Sequence, residues 1–265
     1  GGIKGFNAVK KRVRKDLDPK LVDQFPLEIR YFDVLHIEDK SLINWPLYKR
    51  RQALEQCASN ISSQMTIEDP EELQEEYQRT IGLGLEGLVC KDKASLYLPG
   101  GRTKDWTKLK EFLTLDLAVL GVYPGNGKAA SKEFAAVLLG AKNGNHYETL
   151  TKVAFPNKEM TTDLYNLIKD GYTNSPPKNV VISDAINKKT YAKKVPTHYI
   201  DPKQTAVVEV KVMDITRSKN WHSCGLEDKA YSARIPVVQG IRKDKKLKDC
   251  TTTAQIAEIY NSKNR

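Results

Sequence analysis

The sequence predicts an α+β chain in two parts: a mixed region of helices and strands over residues 1–112 and a small β-barrel over residues 113–265. Three observations lead there. A capped helix starting at Asp69 runs through a two-glycine turn into a short apolar strand at Glu86. After Lys110 the pattern changes to short strands, tight turns and a single helix among them. The net charge is +10, from 43 Lys and Arg against 33 Asp and Glu, which favours a polyanionic partner and nucleic acid first.

The elements follow in order. Gly5 to Lys15 is a basic helix candidate with Phe6, Val9 and Val13 on one face, read as a solvated surface helix. Leu27 to Leu35 reads as a strand closed by a turn at Glu38-Asp39-Lys40. Pro46 suits a first helical position, and Leu47, Arg50, Arg51, Leu54 and Cys57 follow at helical spacing. Asp69 caps the next helix, Pro70 opens it, and Glu72 completes a capping box. Leu73, Tyr77 and Ile81 give that helix its buried stripe, and Gly82 and Gly84 end it.

The second part begins with a strand over Leu115–Tyr123 and a turn at Gly125-Asn126-Gly127. A return strand covers Phe134–Gly140, a hairpin turn falls at Asn143-Gly144, and a third strand covers Tyr147–Val153. A helix near Thr162–Lys169 is expected to turn Leu164, Leu167 and Ile168 inward. Val207–Val212 alternates as a half-exposed strand. Strands of this length around one helix suit a Greek-key barrel such as the OB-fold, and an immunoglobulin-like sandwich would not account for the helix as well. Between Gly171 and Pro202 the chain is rich in Pro, Lys, Asn and Thr. Its Lys188, Lys189, Lys193, Lys194 and Tyr191 could touch phosphates or form a solvated basic loop. Thr251-Thr252-Thr253 caps a last helix carrying Ile256, Ile259 and Tyr260.

Chemistry concentrates between Glu86 and Lys110. The strand Glu86-Gly87-Leu88-Val89-Cys90-Lys91 ends in charge, a turn at Leu98-Pro99-Gly100-Gly101 leads to Arg102, and Trp106-Thr107-Lys108-Leu109-Lys110 follows. Strand alternation places Trp106, Lys108 and Lys110 on one side and Thr107 and Leu109 on the other. A carboxylate with several cations on one strand face can hold a polyanion and a metal ion, and no apolar core needs that set. Farther on come Ala233-Arg234-Ile235-Pro236 and Ile241-Arg242-Lys243-Asp244-Lys245.

These stretches resemble the ATP-dependent DNA ligases. Phe32-Asp33-Val34-Leu35 with the following helix resembles the family's motif IIIa, Glu86 to Lys110 its motifs IV and V, and Arg242 to Lys245 its motif VI. The resemblance spans nearly the whole chain. It implies the C-terminal half of a nucleotidyltransferase (adenylation) domain over residues 1–112 and an OB-fold DNA-binding domain over residues 113–265. By the same resemblance Phe32 stacks on adenine, and Lys91, Arg102, Lys108 and Lys110 contact ATP or AMP. Glu86 holds the metal, usually Mg²⁺, and Arg242 and Lys245 reach the departing pyrophosphate when the barrel closes. The cofactors implied are ATP and Mg²⁺, and the reaction is nick sealing through lysyl-AMP and DNA-adenylate. Residues Glu111 to Thr114 are the expected hinge.

The family's Lys-x-Asp-Gly nucleophile motif does not occur in these 265 residues. The chain is therefore expected to enter the family pattern just before motif IIIa, with no catalytic lysine of its own, and to be inactive alone in self-adenylation. The start Gly1-Gly2-Ile3-Lys4, with no initiator methionine and no signal-peptide apolar stretch, agrees with a chain that begins inside a longer protein. Cys57, Cys90, Cys224 and Cys250 are dispersed with no C-x-x-C pair, which argues against a zinc site and against an NAD-dependent ligase. An intracellular location (cytoplasm and nucleoid, or nucleus) follows as an expectation, with nicked duplex DNA as partner, a sliding clamp as a further candidate, no membrane span, and a monomer. Two other readings stand beside this one: an RNA ligase or mRNA-capping guanylyltransferase, and a DNA- or clamp-binding module without catalysis.

Overall fold

A computed structural model describes residues 12, 18–125, 133–183, 195–218 and 222–263. The chain divides into two compact units, Gly1–Glu111 and Phe112–Arg265. The basic helix expected at Gly5–Lys15, the turn at Asn126-Gly127 and the lysines from Lys188 to Lys194 lie outside the described residues, apart from Arg12.

The first unit contains α1 (Pro19–Gln24), the short strands β1 (His36–Ile37) and β2 (Lys40–Ser41), α2 (Leu47–Cys57), α3 (Pro70–Gly82), β3 (Gly87–Lys91) and β4 (Trp106–Lys110). The strand expected over Leu27–Leu35 does not form. Its one ladder contact is a parallel bridge between Tyr31 and Ile61. The Tyr31 amide donates to the Asn60 carbonyl at 2.9 Å and Ser62 donates back to Tyr31 at 2.8 Å. The segment is thus extended against a loop. An alternating sequence becomes a strand only where a neighbouring strand takes its hydrogen bonds.

The helices follow their local signals closely. Pro46 is the N-cap of α2 rather than its first residue. Leu47, Arg50 and Leu54 are the buried positions of α2, while Cys57 is exposed at its end. Asp69 caps α3 by accepting the Glu71 amide at 2.8 Å, and Leu73, Tyr77 and Ile81 are half-buried.

The second unit is built on one eight-stranded sheet ordered β14-β11-β5-β6-β7-β9, with β10 on the far part of β5 and β8 on β10. Its strands are β5 (Leu113–Tyr123), β6 (Ala136–Asn143), β7 (His146–Ala154), β8 (Tyr172–Thr173), β9 (Val180–Val181), β10 (His198–Ile200), β11 (Val207–Val212) and β14 (Val237–Ile241). A separate ribbon pairs β12 (Asp214–Ser218) with β13 (Ala230–Arg234). The helices are α4 (Lys158–Ile168) and α5 (Thr253–Lys263). The 11-residue β5 organises the sheet. Its first half pairs with β11, its far end with β10, and its other edge with β6, across a bulge between Val119 and Gly121. Changing partners along one bulged strand coils the sheet into a half-barrel of OB type.

The fold class is α+β, as expected. One face of the coiled sheet packs Leu115, Leu117, Val119, Phe134, Leu139 and Leu150 against Leu164 and Ile168 of α4 and Ile256 of α5. Leu167 is exposed rather than inward, because Leu164 and Ile168 already fill the α4 stripe.

Gly140 shows how tightly this sheet is packed. A Cβ at that position would stand 2.3 Å from the Leu120 side chain and 2.6 Å from the Glu148 carbonyl oxygen. The carbonyl cannot move without breaking the β6–β7 ladder. Gly140→Ala should therefore lower stability by about 1–3 kcal/mol, the usual cost of overpacking. Denaturant unfolding of the variant against the parent chain measures it, and an unchanged midpoint would mean the sheet yields freely there.

Candidate functional site: a cationic hairpin and a charge cluster on the barrel

In the first unit the site is the β3–β4 hairpin. Its register pairs Gly87 with Lys110, Val89 with Lys108 and Lys91 with Trp106. Residues directly opposite in an antiparallel pair share a face. Lys91, Trp106, Lys108 and Lys110 therefore lie together, and Leu88, Cys90, Thr107 and Leu109 lie on the other face. Glu86, just before β3, forms an ion pair with Lys110 at one end of this face. Glu86, Val89, Lys108 and Lys110 line a shallow depression there.

Gly87 makes that approach possible. Its φ is +134°, and a Cβ would fall 2.1 Å from the Leu109 carbonyl oxygen. No other residue type accepts both the backbone conformation and the contact. The glycine after Glu86 thus sets the strand start, and with it the direction in which the carboxylate leaves the chain.

At the opposite end Lys91 sits between two rings. Its ammonium lies 4.7 Å from the Phe32 centroid and 4.1 Å from that of Trp106. The two rings meet edge to face at 6.2 Å. Phe32 is 54% exposed, so one side of its ring is open to a planar ligand. Burial pulls the Lys91 ammonium below its ordinary range and the Asp33 carboxylate opposes this, while Arg51 and Arg50 push the same way as burial. Arg102 stays apart. It is exposed on the β3–β4 loop with no partner among the described residues.

Behind Phe32 lies a charge pair that sequence reasoning did not single out as part of the site. Asp33 is held bidentately by Arg50 at 2.9 and 3.0 Å, with the Arg50 side chain 0% and the Asp33 side chain 7% exposed. Arg50 also donates to the Trp45 carbonyl. Removing one member of such a pair costs about 3–5 kcal/mol, because the other charge is left buried. The first amides of α2 are satisfied from the hairpin loop: Leu47 donates to Ser95 at 2.9 Å and Tyr48 to Lys93 at 3.0 Å. The α2 helix is thereby tied to the chain just beyond Lys91.

The second unit holds Arg242 and Lys245 in a charge cluster of its own. Arg242 forks onto Asp244 at 3.0 and 2.8 Å and places Nη1 at 3.1 Å from Asp116 and 2.9 Å from Glu209. Lys245 donates to the other Asp116 oxygen. Asp116 and Glu209 face each other across β5 and β11. Two cations thus meet three carboxylates, and four of the five guanidinium N–H donors are engaged. Asp116 and Glu209 carry a sequence signal for this, each being a single carboxylate inside an apolar strand, Leu-Asp-Leu and Val-Glu-Val. Among the described residues, no group of three or more His, Cys, Asp and Glu side chains is placed to hold a metal ion by itself.

The first unit thus gathers an exposed aromatic ring and three lysines at one hairpin face, and the second unit carries further cations on a half-barrel. A family model described as "ATP dependent DNA ligase domain" matches residues 1–110, and one described as "ATP dependent DNA ligase C terminal region" matches residues 130–245. The chain belongs to the ATP-dependent DNA ligase family.

A probable DNA ligase of Dictyoglomus thermophilum is 28% identical over 277 residues, covering 98% of this chain and 45% of the relative. DNA ligase 1 of Methanosarcina acetivorans is 30% identical over 272 residues, covering 96% of this chain and 45% of the relative. The ligase domain of M. tuberculosis LigD aligns over 94% of this chain and 72% of its own, at 19% identity and a TM-score of 0.41. The chain spans about half the length of the curated relatives it matches.

The Arg242 fork makes a prediction in pH. Hydrogen bonding from Arg242 holds the Asp244 carboxyl at about 2, below its ordinary value of 3.8. A lowered folded value means the tie is complete above the ordinary carboxylate range and is lost as pH falls through about 2. Carboxyl-detected NMR titration should find that midpoint, and Arg242→Ala should return it towards the ordinary value. A midpoint that stays low in the variant would assign the shift to the backbone around Asp244 instead.

Proposed function

We propose that this chain works as the nucleotide-gripping hairpin and DNA-binding barrel of an enzyme that seals nicks in duplex DNA at the expense of ATP. The observation that carries this reading is the single face of the β3–β4 hairpin. An open aromatic ring, a half-buried lysine, two further lysines and a carboxylate are brought together there. Adenylate transfer needs in-line positioning and neutralisation of phosphate charge more than it needs proton chemistry. Phe32 stacks on adenine. Lys91, Lys108 and Lys110 act as point charges on the phosphates, and Arg102 joins them from its loop once a phosphate is present.

Mg²⁺ fits this site in one way. The ion keeps several waters and is usually held by one or two carboxylates together with substrate phosphates, so Glu86 suffices as the protein's ligand. The chemistry the ion supplies when bound is neutralisation of charge on the phosphate oxygens. Lys110, paired with Glu86, holds the carboxylate at the end of the hairpin face. The attacking lysine belongs to a Lys-x-Asp-Gly segment outside these 265 residues, so the full reaction is that of a longer protein. Duplex DNA is held through its phosphates, in keeping with the charge of +10.

Two experiments on a full-length protein test this. Glu86→Ala should cut nick sealing by roughly two to three orders of magnitude, the usual cost of losing one electrostatic contact to the transition state. Its fold should persist, because the Glu86 side chain is 69% exposed. Normal sealing by a folded variant would leave Glu86 as Lys110's partner and nothing more. Arg242→Ala should slow lysyl-AMP formation far more than sealing of a pre-adenylated nick, since pyrophosphate leaves only in the first step. Paired single-turnover assays separate the steps, and equal losses in both would move Arg242 to DNA binding or folding.

A further inference from the structure

We propose that Asp33 and Arg50 form a positioning pair for the nucleotide: they turn Phe32 outward at the mouth of the site and set a carboxylate behind Lys91. The proposal rests on the reading of Phe32 and Lys91 as nucleotide contacts. Asp33 and Phe32 are neighbours in an extended segment, where successive side chains point opposite ways. With Asp33 locked inward on Arg50, Phe32 has to face out, and its ring rests edge-on against Trp106.

Every polar side-chain atom of the pair has a hydrogen-bond partner. Asp33 Oδ1 also takes the Val34 amide at 2.8 Å, and Arg50 reaches the Trp45 carbonyl. Buried ion pairs of this kind contribute little that apolar residues of equal volume would not. What Asp33 adds is charge. Among the described residues, Asp33 is the charged group that favours the Lys91 ammonium, while Arg51 and Arg50 oppose it. The pair joins the Phe32 segment, through Asp33, to α2, through Arg50, and α2 in turn holds the loop after β3 through its amides on the Lys93 and Ser95 carbonyls.

The test is AMP binding to the 265-residue chain by titration calorimetry from pH 6 to pH 10, with thermal unfolding recorded for every variant. Affinity in the parent chain should hold through neutral pH and fall once Lys91 loses its proton. Asp33→Asn removes the favourable charge, so the fall should begin at lower pH, with binding weaker than the parent's by up to about tenfold at pH 9. At pH 6 the loss should be smaller. Should Asp33→Asn fail to fold, the volume-matched double variant Asp33→Leu with Arg50→Met carries the same measurement.

A variant that follows the parent's pH profile overturns the positioning role, as does one that loses affinity equally at every pH in step with its unfolding temperature. Lys91→Gln and Phe32→Ala distinguish this from failure of the nucleotide reading. If both weaken AMP binding while Asp33→Asn does not, the positioning pair alone is wrong. If the parent chain does not bind AMP, or binds it regardless of Lys91 and Phe32, both ideas fall together.

Discussion

The register between β3 and β4 governs what the first unit can do. Pairing Gly87 with Lys110 and Lys91 with Trp106 is what puts Lys91, Lys108 and Lys110 on one face. A slip of one residue would send Lys108 and Lys110 to the side now held by Leu88, Cys90 and Leu109. Gly87 fixes that register because the Leu109 carbonyl occupies the place a side chain would need. The packing and the charge of this face both follow from one backbone contact.

Charge is handled differently at the two cation sets. On the hairpin, Lys91 is half-buried among rings and Lys108 is open, so positive potential remains for a phosphate. On the barrel, Arg242 and Lys245 are already matched by Asp116, Glu209 and Asp244. An anion arriving there has to compete with carboxylates in place, whereas on the hairpin face Lys110 is the lysine ion-paired with an acid, Glu86. Cations held in this way keep a defined geometry, because long side chains lose their rotamer freedom before the ligand arrives rather than at binding.

The β5 strand plays the corresponding part in the second unit. It carries Leu115, Leu117 and Val119 into the core and Asp116 to the charge cluster between them. One alternating strand thus builds the hydrophobic face and aims the motif arginine. The Asp116 main chain is also fixed by Thr251, just before the last helix: its amide donates to Thr251 Oγ1 at 3.0 Å, and its carbonyl accepts the Thr251 amide at 2.8 Å.

The sequence by itself determined the elements whose causes are local. Asp69 and Pro70 announced α3, Asn143-Gly144 the β6–β7 turn, alternation the strand Val207–Val212, and motif spacing the family. It also placed Trp106, Lys108 and Lys110 on one face, since a period of two is a property of the chain alone, whereas Arg102, expected with them, lies apart on the loop. Only the tertiary structure decided what depends on partners distant in sequence. The Leu27–Leu35 segment lost its strand because a loop, not a strand, lies beside it. Asp33 met Arg50 across 17 positions, and Arg242 met Asp116 across 126, as no spacing rule could announce. Burial and ion pairing are pairwise and non-local: a sequence records which charges exist, and the fold chooses which of them meet.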